Sequence, residues 1–597
     1  MPPSDPSVIR DNMPVTSPTA SAPVDGVRFR SRPWQWATAL CCLVYLLGLG
    51  AYPLLDPDEG RYAEIPREMI ERGDFIIPTL NYVPYFEKPP LLYWITAGFM
   101  GVLGEAEWVI RLVPALLGLL GLVIAWWLAR VTVGREVARW TPGVLGTTLL
   151  YFALARIPLT DMLFAVTLAA TLTAWWSAER RSGSGRWWML AGCGILLGLA
   201  VLSKGLVAIV LFGAITVASL AWQRRLGAFI GAVALPVVVG LATNAPWWLA
   251  AQARNPEFAH FYFVVQHLDR FLGHGLQEHR RPPGFFIPIV ILGCGFWSVF
   301  WGQMLLGKLR AWRGLEPAQR AVRVFLGAWA LVVVGFFSLS SSQLATYVLP
   351  AWWPLAVCTA AGVYGIMGRD PLHRGARWSL GVAAGLWGLL VVVAMLSEHH
   401  KPAVPAGEIG WPAAGITLAV VAVGVGFLNV HRLRGADARM GLLVSLAALV
   451  LASLLPVTAA ISRSRDIGGL IPQQLRPVSR DSGWTIAQYL CYNQALTYYT
   501  HTRVVLIGSE GELTMGPQQP DAPEWFPRDE AAIARLTARG PLALVVRTES
   551  IRDVCAKYRL TLWNESFDRG ILFNDTAVQW LTAHGATRPT VDPSFYD

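Results

Sequence analysis

Charge is what this chain has least of. Only 15% of its 597 residues are Asp, Glu, Lys or Arg, against about 25% in a soluble globular chain. So few charges cannot coat a water-facing surface of this size, which excludes an ordinary soluble domain. Cysteine is sparse too: seven residues, with no CxxC pair and no Cys/His metal spacing, so the signature of a structural zinc or redox centre is missing. Cys41, Cys42, Cys193, Cys294 and Cys358 lie inside apolar runs and read as small buried side chains. Cys491 and Cys555 lie outside those runs. They read either as a disulfide in an oxidising compartment or as free thiols. No internal repeat is evident. No small-residue cleavage site follows the first apolar run, which is therefore read as an uncleaved span.

What is present is apolar. Hydrophobic residues make up 54% of the chain, with 56 Gly and 27 Trp. Glycine is tolerated in lipid-embedded helices, and tryptophan favours the headgroup zone. The formal net charge of +10 would point to nucleic acid in a soluble protein. Here the basic residues sit in short loops between apolar runs, so the excess is a topology signal and no nucleic-acid partner is expected.

Residues 1–33 are rich in Pro, Ser, Thr and Asp and end in Arg28, Arg30 and Arg32, as a disordered cytoplasmic tail would. Thirteen runs of spanning length follow, near 34–53, 108–130, 137–155, 158–178, 187–203, 205–222, 226–247, 285–309, 321–340, 345–367, 376–396, 410–431 and 440–461. A further run, 91–104, falls short of the roughly 20 residues a span needs. If it does not cross, every cytoplasmic loop is rich in arginine or lysine, as the positive-inside rule demands. If it does cross, all those loops face outward. We read it as interfacial or re-entrant. The expected fold is an α-helical polytopic membrane protein with about 13 transmembrane helices, spanning 34–461. Residues 462–597 lose the long apolar runs. There, 503–508 and 542–546 read as short strands and 529–539 as a helix, predicting a small outward α/β domain.

The unusual polar residues collect on the outward side. The first outward loop, 54–107, carries Asp56, Asp58, Glu59, Arg61, Tyr62, Tyr85, Glu87 and Lys88. Glu64, Glu68 and Glu71 at helical spacing predict an amphipathic helix along the membrane surface, with Glu68, Glu71 and Arg72 solvated and Gly73–Asp74 as its end. The Asp58–Glu59 pair follows a span directly, where unpaired carboxylates are costly. Lys88, fixed by Pro89–Pro90, suits a lipid phosphate. Elsewhere two readings stand for each residue. Lys204 at a span end either snorkels or acts in a site. Asp161 either caps a helix or acts in a site. Tyr62, Tyr85 and Tyr347 are also candidates for an interfacial aromatic belt.

The run D-E-x-R-Y-A-E…R-E-M…G-D-F-x-x-P-x-L…Y-F-E-K-P-P-L-x-Y-W resembles the first periplasmic loop of bacterial aminoarabinose lipid A transferases. These are multispanning GT-C glycosyltransferases related to protein O-mannosyltransferases. R-I-P-L-T-D-M at 156–162, L-S-K-G at 202–205, H-L-D-R-F at 267–271 and Y-V-L-P-A-W-W-P at 347–354 extend the resemblance over roughly the first 360 residues. It implies a GT-C fold in the bacterial inner membrane, with the active site facing the periplasm. It also implies a polyprenyl-phosphate sugar donor and lipid A, a protein hydroxyl or another glycan as acceptor. Asp58 and Asp161 match acidic catalytic positions. Arg61, Tyr62, Tyr85, Lys88, Lys204 and Tyr347 match positions of the donor-phosphate cavity, and Glu87 and His267 match positions associated with zinc. No cofactor is required by the residues themselves. His267 is one of four histidines in its loop, and only the resemblance marks it. Gln343 departs from the pattern, since relatives often have lysine there. A transporter, the reading from another class, would place its charges near the bilayer midplane rather than at the outward ends of spans.

Overall fold

Length and all-round apolarity decide which runs become long helices. The computed structural model describes residues 32–269, 281–305, 314–372, 374–382, 385, 421, 424–427, 429–464, 467–476, 478, 483–566 and 568–587. Among these, six helices are long and apolar enough to cross a membrane: Glu107–Thr132, Gly183–Lys204, Ile230–Arg254, Pro317–Leu339, Ala345–Met367 and Ala436–Pro456. Phe286–Gly293 and Gly295–Leu305, bent by 103°, make a seventh if they count as one span.

The thirteen predicted runs outnumber these for identifiable reasons. The run 158–178 is helical over Thr160–Ala178, and all of its residues are buried. It is a central helix wrapped by protein, as an evenly apolar helix should be. The run 137–155 is not one continuous helix. It breaks into Arg135–Ala138, Thr141–Gly146 and Leu149–Leu154. Pro142 stands at the start of the second piece. The Thr147 and Thr148 hydroxyls donate to the Gly143 and Leu145 carbonyls (2.6 and 2.7 Å) where it ends. Val207–Trp222 is a shorter apolar helix. The runs 376–396 and 410–431 lie largely outside the described residues.

The first outward loop has a definite architecture. Helix α1 (Pro33–Leu46) leads through a turn to α2 (Asp58–Arg72). A hairpin follows, β1 (Thr79–Leu80) antiparallel to β2 (Val83–Pro84). Then comes α3 (Leu91–Leu103), before the long α4 (Glu107–Thr132). The 13 residues of α3 reach only about 20 Å at 1.5 Å per residue, too short for a perpendicular crossing. Helix α2 ends where the sequence predicts, at Gly73 in the left-handed conformation (φ +63°).

The surroundings of α2 differ from expectation. Glu71 and Arg72 are exposed, but Glu64, Arg67 and Glu68 are buried, so α2 is not a surface helix. The C-terminal residues cover its outer face. Arg67 pairs with Glu64 (2.7 Å) and Glu71 (2.9 Å). Glu68 accepts from the Thr79 hydroxyl (2.5 Å) and the Tyr82 amide (3.0 Å), and burial pushes its carboxyl well above the usual range. Sequence periodicity shows which residues share a face, but not that a segment 400 residues later covers it.

The C-terminal residues form a five-stranded sheet in the order β4-β3-β5-β7-β6. Its strands are β3 (Thr485–Tyr489), β4 (Val505–Ile507), β5 (Leu542–Arg547), β6 (Thr561–Ser566) and β7 (Arg569–Phe573). β3 pairs parallel with β4 and β5, and β7 pairs antiparallel with β5 and β6. Both predicted strands are present, and the predicted helix runs over Ala532–Arg539. Cys491 and Cys555 are free thiols.

Long-range hydrogen bonds weld this sheet to the first loop. Leu54 N–H donates to Tyr499 Oη (2.7 Å). Asn81 exchanges two bonds with the Val504 backbone (2.9 and 2.8 Å). Tyr498 donates to the Glu105 carbonyl. Asp56 accepts from the Ala495 amide (2.8 Å) at the start of the Gln494–Thr500 helix. Backbones meet so closely there that a Cβ on Gly60 would lie 2.3 Å from Ala495 N.

Full burial raises the Asp56 carboxyl to about 7, against the lowering effect of its hydrogen bonds. A carboxyl raised on folding lends stability that is complete below the ordinary aspartate range and lost as pH rises through about 7. Asp56→Asn keeps an acceptor for Ala495 and removes the charge. Thermal unfolding should therefore fall less between pH 5 and pH 8 in Asp56→Asn than in the unsubstituted protein. Parallel pH dependences would show that Asp56 is not the titrating group.

Candidate active site

Asp58 opens α2, and its side chain is 46% exposed, the most open carboxylate of the group. Arg61, one turn on, donates to it at 3.3 Å. Burial raises the Asp58 carboxyl. Arg61 and Lys88 oppose that rise, and Asp161 reinforces it. Asp58 therefore stands within electrostatic reach of three of the other predicted residues.

Asp161 lies in the first turn of the Thr160–Ala178 helix, where a negative charge is favoured. It is not the cap: Leu159 is, and no side chain caps this end. Instead Asp161 pairs with Lys204, the last residue of the Gly183–Lys204 helix. The two side chains are 11% and 10% exposed, so Lys204 turns inward rather than snorkelling to water. Its ammonium also lies 4.0 Å from the centre of the Tyr347 ring, a cation–π geometry. Phe337, 5.2 Å from Tyr347, closes the other side. The Gln343 amide donates to the Ser338 and Ser340 carbonyls (both 3.1 Å). It closes the turn before Tyr347 rather than presenting a polar group to the site.

The hairpin and Pro89–Pro90 place Tyr85, Glu87 and Lys88. Lys88 Nζ donates to the Glu87 carbonyl (3.2 Å) and lies 3.8 Å from its carboxylate. Tyr85 and Tyr62 are buried, and Tyr62 stacks on Tyr93 with centroids 5.9 Å apart. Neither belongs to an exposed aromatic belt. His267 falls within the π-type helix His260–Asp269, and its side chain lies outside the described residues. Among the described residues no three His, Cys, Asp or Glu side chains gather as a metal site would require.

Sequence reasoning missed two features. The first is Glu512. It comes from the sheet domain, in the turn after β4, and takes one edge of the Arg61 guanidinium with both oxygens: Nε at 2.7 Å and Nη2 at 2.6 Å. Gln494 Nε2 (2.8 Å) and Tyr85 Oη (3.5 Å) also contact it. Burial raises its carboxyl, and Arg61 counters that rise. The only local signal was an acidic pair around Gly511 directly after a strand.

The second is the fate of Glu59. Its carboxylate takes Arg111 at 2.8 and 2.6 Å. Arg111 also donates to the carbonyls of Leu49, Tyr52 and Pro53 (2.7–2.8 Å). Glu59 thus fixes the turn that presents Asp58, and of the adjacent pair Asp58 is the open carboxylate. Beside Asp58 a cavity of about 310 Å³ runs between Leu149, Phe152 and Arg156 on one wall and Leu454, Leu455 and Thr458 on the other.

A fixed bidentate partner sets the direction of Arg61. Glu512→Gln removes the charge from a charge-assisted pair worth about 1.5–3 kcal/mol. It should lower the rate of the reaction at this site by roughly tenfold or more with the protein still folded. An unchanged rate would show that Arg61 is positioned without it.

This arrangement joins buried spans, an outward helical loop and a covering sheet domain around paired carboxylates and cations at the ends of membrane helices. Together with the likenesses that follow, it places the chain among membrane glycosyltransferases of the GT-C fold. The fold is similar to the crystal structure of ArnT from Cupriavidus metallidurans bound to undecaprenyl phosphate: TM-score 0.80, 24% identity, 91% of this chain and 98% of that one. It is more distantly similar to the Archaeoglobus fulgidus oligosaccharyltransferase in the apo form: TM-score 0.51, 12% identity, 88% of this chain and 71% of that one. Residues 87–249 match the family model described as dolichyl-phosphate-mannose-protein mannosyltransferase.

Two curated relatives carry the name undecaprenyl phosphate-alpha-4-amino-4-deoxy-L-arabinose arabinosyl transferase. The one from Aeromonas salmonicida is 30% identical over 533 residues, 86% of this chain and 94% of its own. The one from Pectobacterium carotovorum is 30% identical over 534 residues, 87% and 93%. The chain belongs to this arabinosyl transferase family.

Proposed function

We propose that this protein transfers 4-amino-4-deoxy-L-arabinose from undecaprenyl phosphate to lipid A on the periplasmic side of the bacterial inner membrane. In this reading residues 34–461 form the catalytic membrane domain, crossing about thirteen times, and residues 462–597 a periplasmic domain. The observation that carries it is the buried Asp161–Lys204 pair under Tyr347, within electrostatic reach of the open carboxylate of Asp58. The family membership supplies the donor and the sugar.

The acceptor oxygen bonds to the anomeric carbon as the bond from that carbon to the carrier phosphate breaks. The electron pair leaves with undecaprenyl phosphate. Lys204 and Lys88 stabilise that anion, with Arg61, Tyr62, Tyr85 and Tyr347 shaping the pocket. Asp161 holds Lys204 in place. A lipid A phosphate is already ionised, so Asp58 takes no proton from it and instead stabilises positive charge growing on the sugar. The cavity beside Asp58 gives such an acceptor access from the bilayer side. Zinc at Glu87 and His267 is a separate proposal, tested by metal analysis of purified protein with and without Glu87→Gln.

The raised Asp58 carboxyl and the mannosyltransferase match favour a second reading, in which Asp58 is a general base toward a hydroxyl acceptor. Purified protein given the undecaprenyl-linked aminosugar and either lipid A or a Ser/Thr-rich peptide separates the two. Product on lipid A alone supports the first, product on the peptide supports the second, and no product on either contradicts both. A reporter fused after Arg139 should appear cytoplasmic. An outward signal would overturn the topology.

A further inference from the structure

A second cavity lies at the other end of the Ala436–Ser464 helix. The Ala436–Ser464 helix has 29 residues and spans about 43 Å at 1.5 Å per residue. Near its C-terminal end, Leu454, Leu455 and Thr458 wall the cavity beside Asp58. Just before its N-terminal end lies His431, which with Arg374, Arg377, Trp378, Val382 and Phe427 lines an open cavity of about 690 Å³. The two cavities are therefore about one bilayer apart.

The chemistry of the second cavity is one-sided. Among the described residues, three basic side chains line it and no acidic one does. Two acids on this end, Asp370 and Asp437, are already engaged. Asp370 pairs with buried Arg439 (3.0 Å), and Asp437 pairs with Arg139 (2.9 Å) and takes the Trp140 indole N–H (2.9 Å). Arg374, Arg377 and His431 are exposed. Beside them Trp378 is 75% exposed on an otherwise apolar lining, the placement of an interfacial anchor. Cations over an apolar floor, with a tryptophan at headgroup level, match a lipid with an anionic head and acyl tails.

We infer that this cavity binds the headgroup of an anionic glycerophospholipid of the cytoplasmic leaflet, the Arg374 and Arg377 guanidinium groups holding its phosphate and Trp378 and Phe427 its acyl chains. The inference rests on the proposed topology and not on the transfer chemistry. Arginine suits this role because its planar fork engages phosphate oxygens in pairs.

The test is native mass spectrometry of the full-length purified protein titrated with cardiolipin, phosphatidylcholine or inorganic phosphate. Cardiolipin should bind at least tenfold more tightly than phosphatidylcholine, and inorganic phosphate at millimolar concentration should not displace it. Arg374→Ala/Arg377→Ala should lose that preference, whereas Arg374→Lys/Arg377→Lys should keep most of it. Equal cardiolipin binding by the alanine variant, or displacement by inorganic phosphate, would overturn the inference. Neither pair touches the Asp58 site, so both variants should retain transfer activity in phosphatidylcholine vesicles. That activity also certifies the fold of the alanine variant. A loss of transfer in both variants would overturn the separation of this cavity from the active site.

Discussion

Asp58→Asn should lower glycosyl transfer by at least about 100-fold, the low end of what a positioned acid–base or electrostatic group contributes. The substitution preserves shape and a hydrogen-bond acceptor for Arg61, 3.3 Å away. It removes the charge of the most exposed carboxylate beside the cavity. Because Asp58 is half-open and anchored by the neighbouring Glu59–Arg111 pair, folding should be intact, as judged by membrane yield and thermal unfolding. The pH–rate profile adds an independent check. Burial holds this carboxyl above its usual range, so the acid limb of the profile should lie above the ordinary aspartate value and vanish in Asp58→Asn. Activity within a few-fold of the unsubstituted protein would remove Asp58 from the mechanism.

The second large effect concerns Lys204. Lys204→Met leaves Asp161 as a buried carboxylate without its cation. Breaking a buried pair from one side typically costs about 3–5 kcal/mol. The single variant should therefore be destabilised as well as inactive. Asp161→Asn/Lys204→Met removes both charges and should recover most of the folded protein. If the pair only braces two helices, activity returns with stability. If Lys204 also stabilises the departing phosphate, stability returns and transfer stays down by about 100-fold or more. The account predicts the second outcome. Recovery of transfer in the double variant would reduce the pair to scaffolding.

The sequence exposed the residues of this site better than it exposed their partners. Asp58 and Lys88 stood out because a charge beside an apolar run is costly and therefore conspicuous, whereas Asp161, Lys204 and Tyr347 were marked by the family resemblance. Their pairing was not legible. Asp161 and Lys204 lie 43 positions apart, and only the packing of two helices brings them together. Glu512 was invisible for the same reason: it is an ordinary acid in a polar turn until the sheet domain docks on the first loop. The burial of Glu64 and Glu68 was misread because periodicity reports a face and not what covers it. The form of a span was not legible where an apolar run is broken by threonine hydroxyls, as at Thr147 and Thr148, which compete for backbone carbonyls. Cys41, Cys193 and Cys294 are buried as their apolar runs implied, Cys42 and Cys358 are only half-buried, and Cys491 and Cys555 resolved as thiols.

The central claim is that this constellation moves a lipid-borne aminosugar onto lipid A. Its most direct test is to express the protein in a strain that makes the undecaprenyl-linked donor but lacks its own aminoarabinose transferase, and to examine lipid A by mass spectrometry. The account predicts lipid A species heavier by one or more aminoarabinose residues, absent when Asp58→Asn is expressed at equal membrane levels. Unmodified lipid A, with the donor confirmed present and the protein confirmed in the membrane, would contradict it.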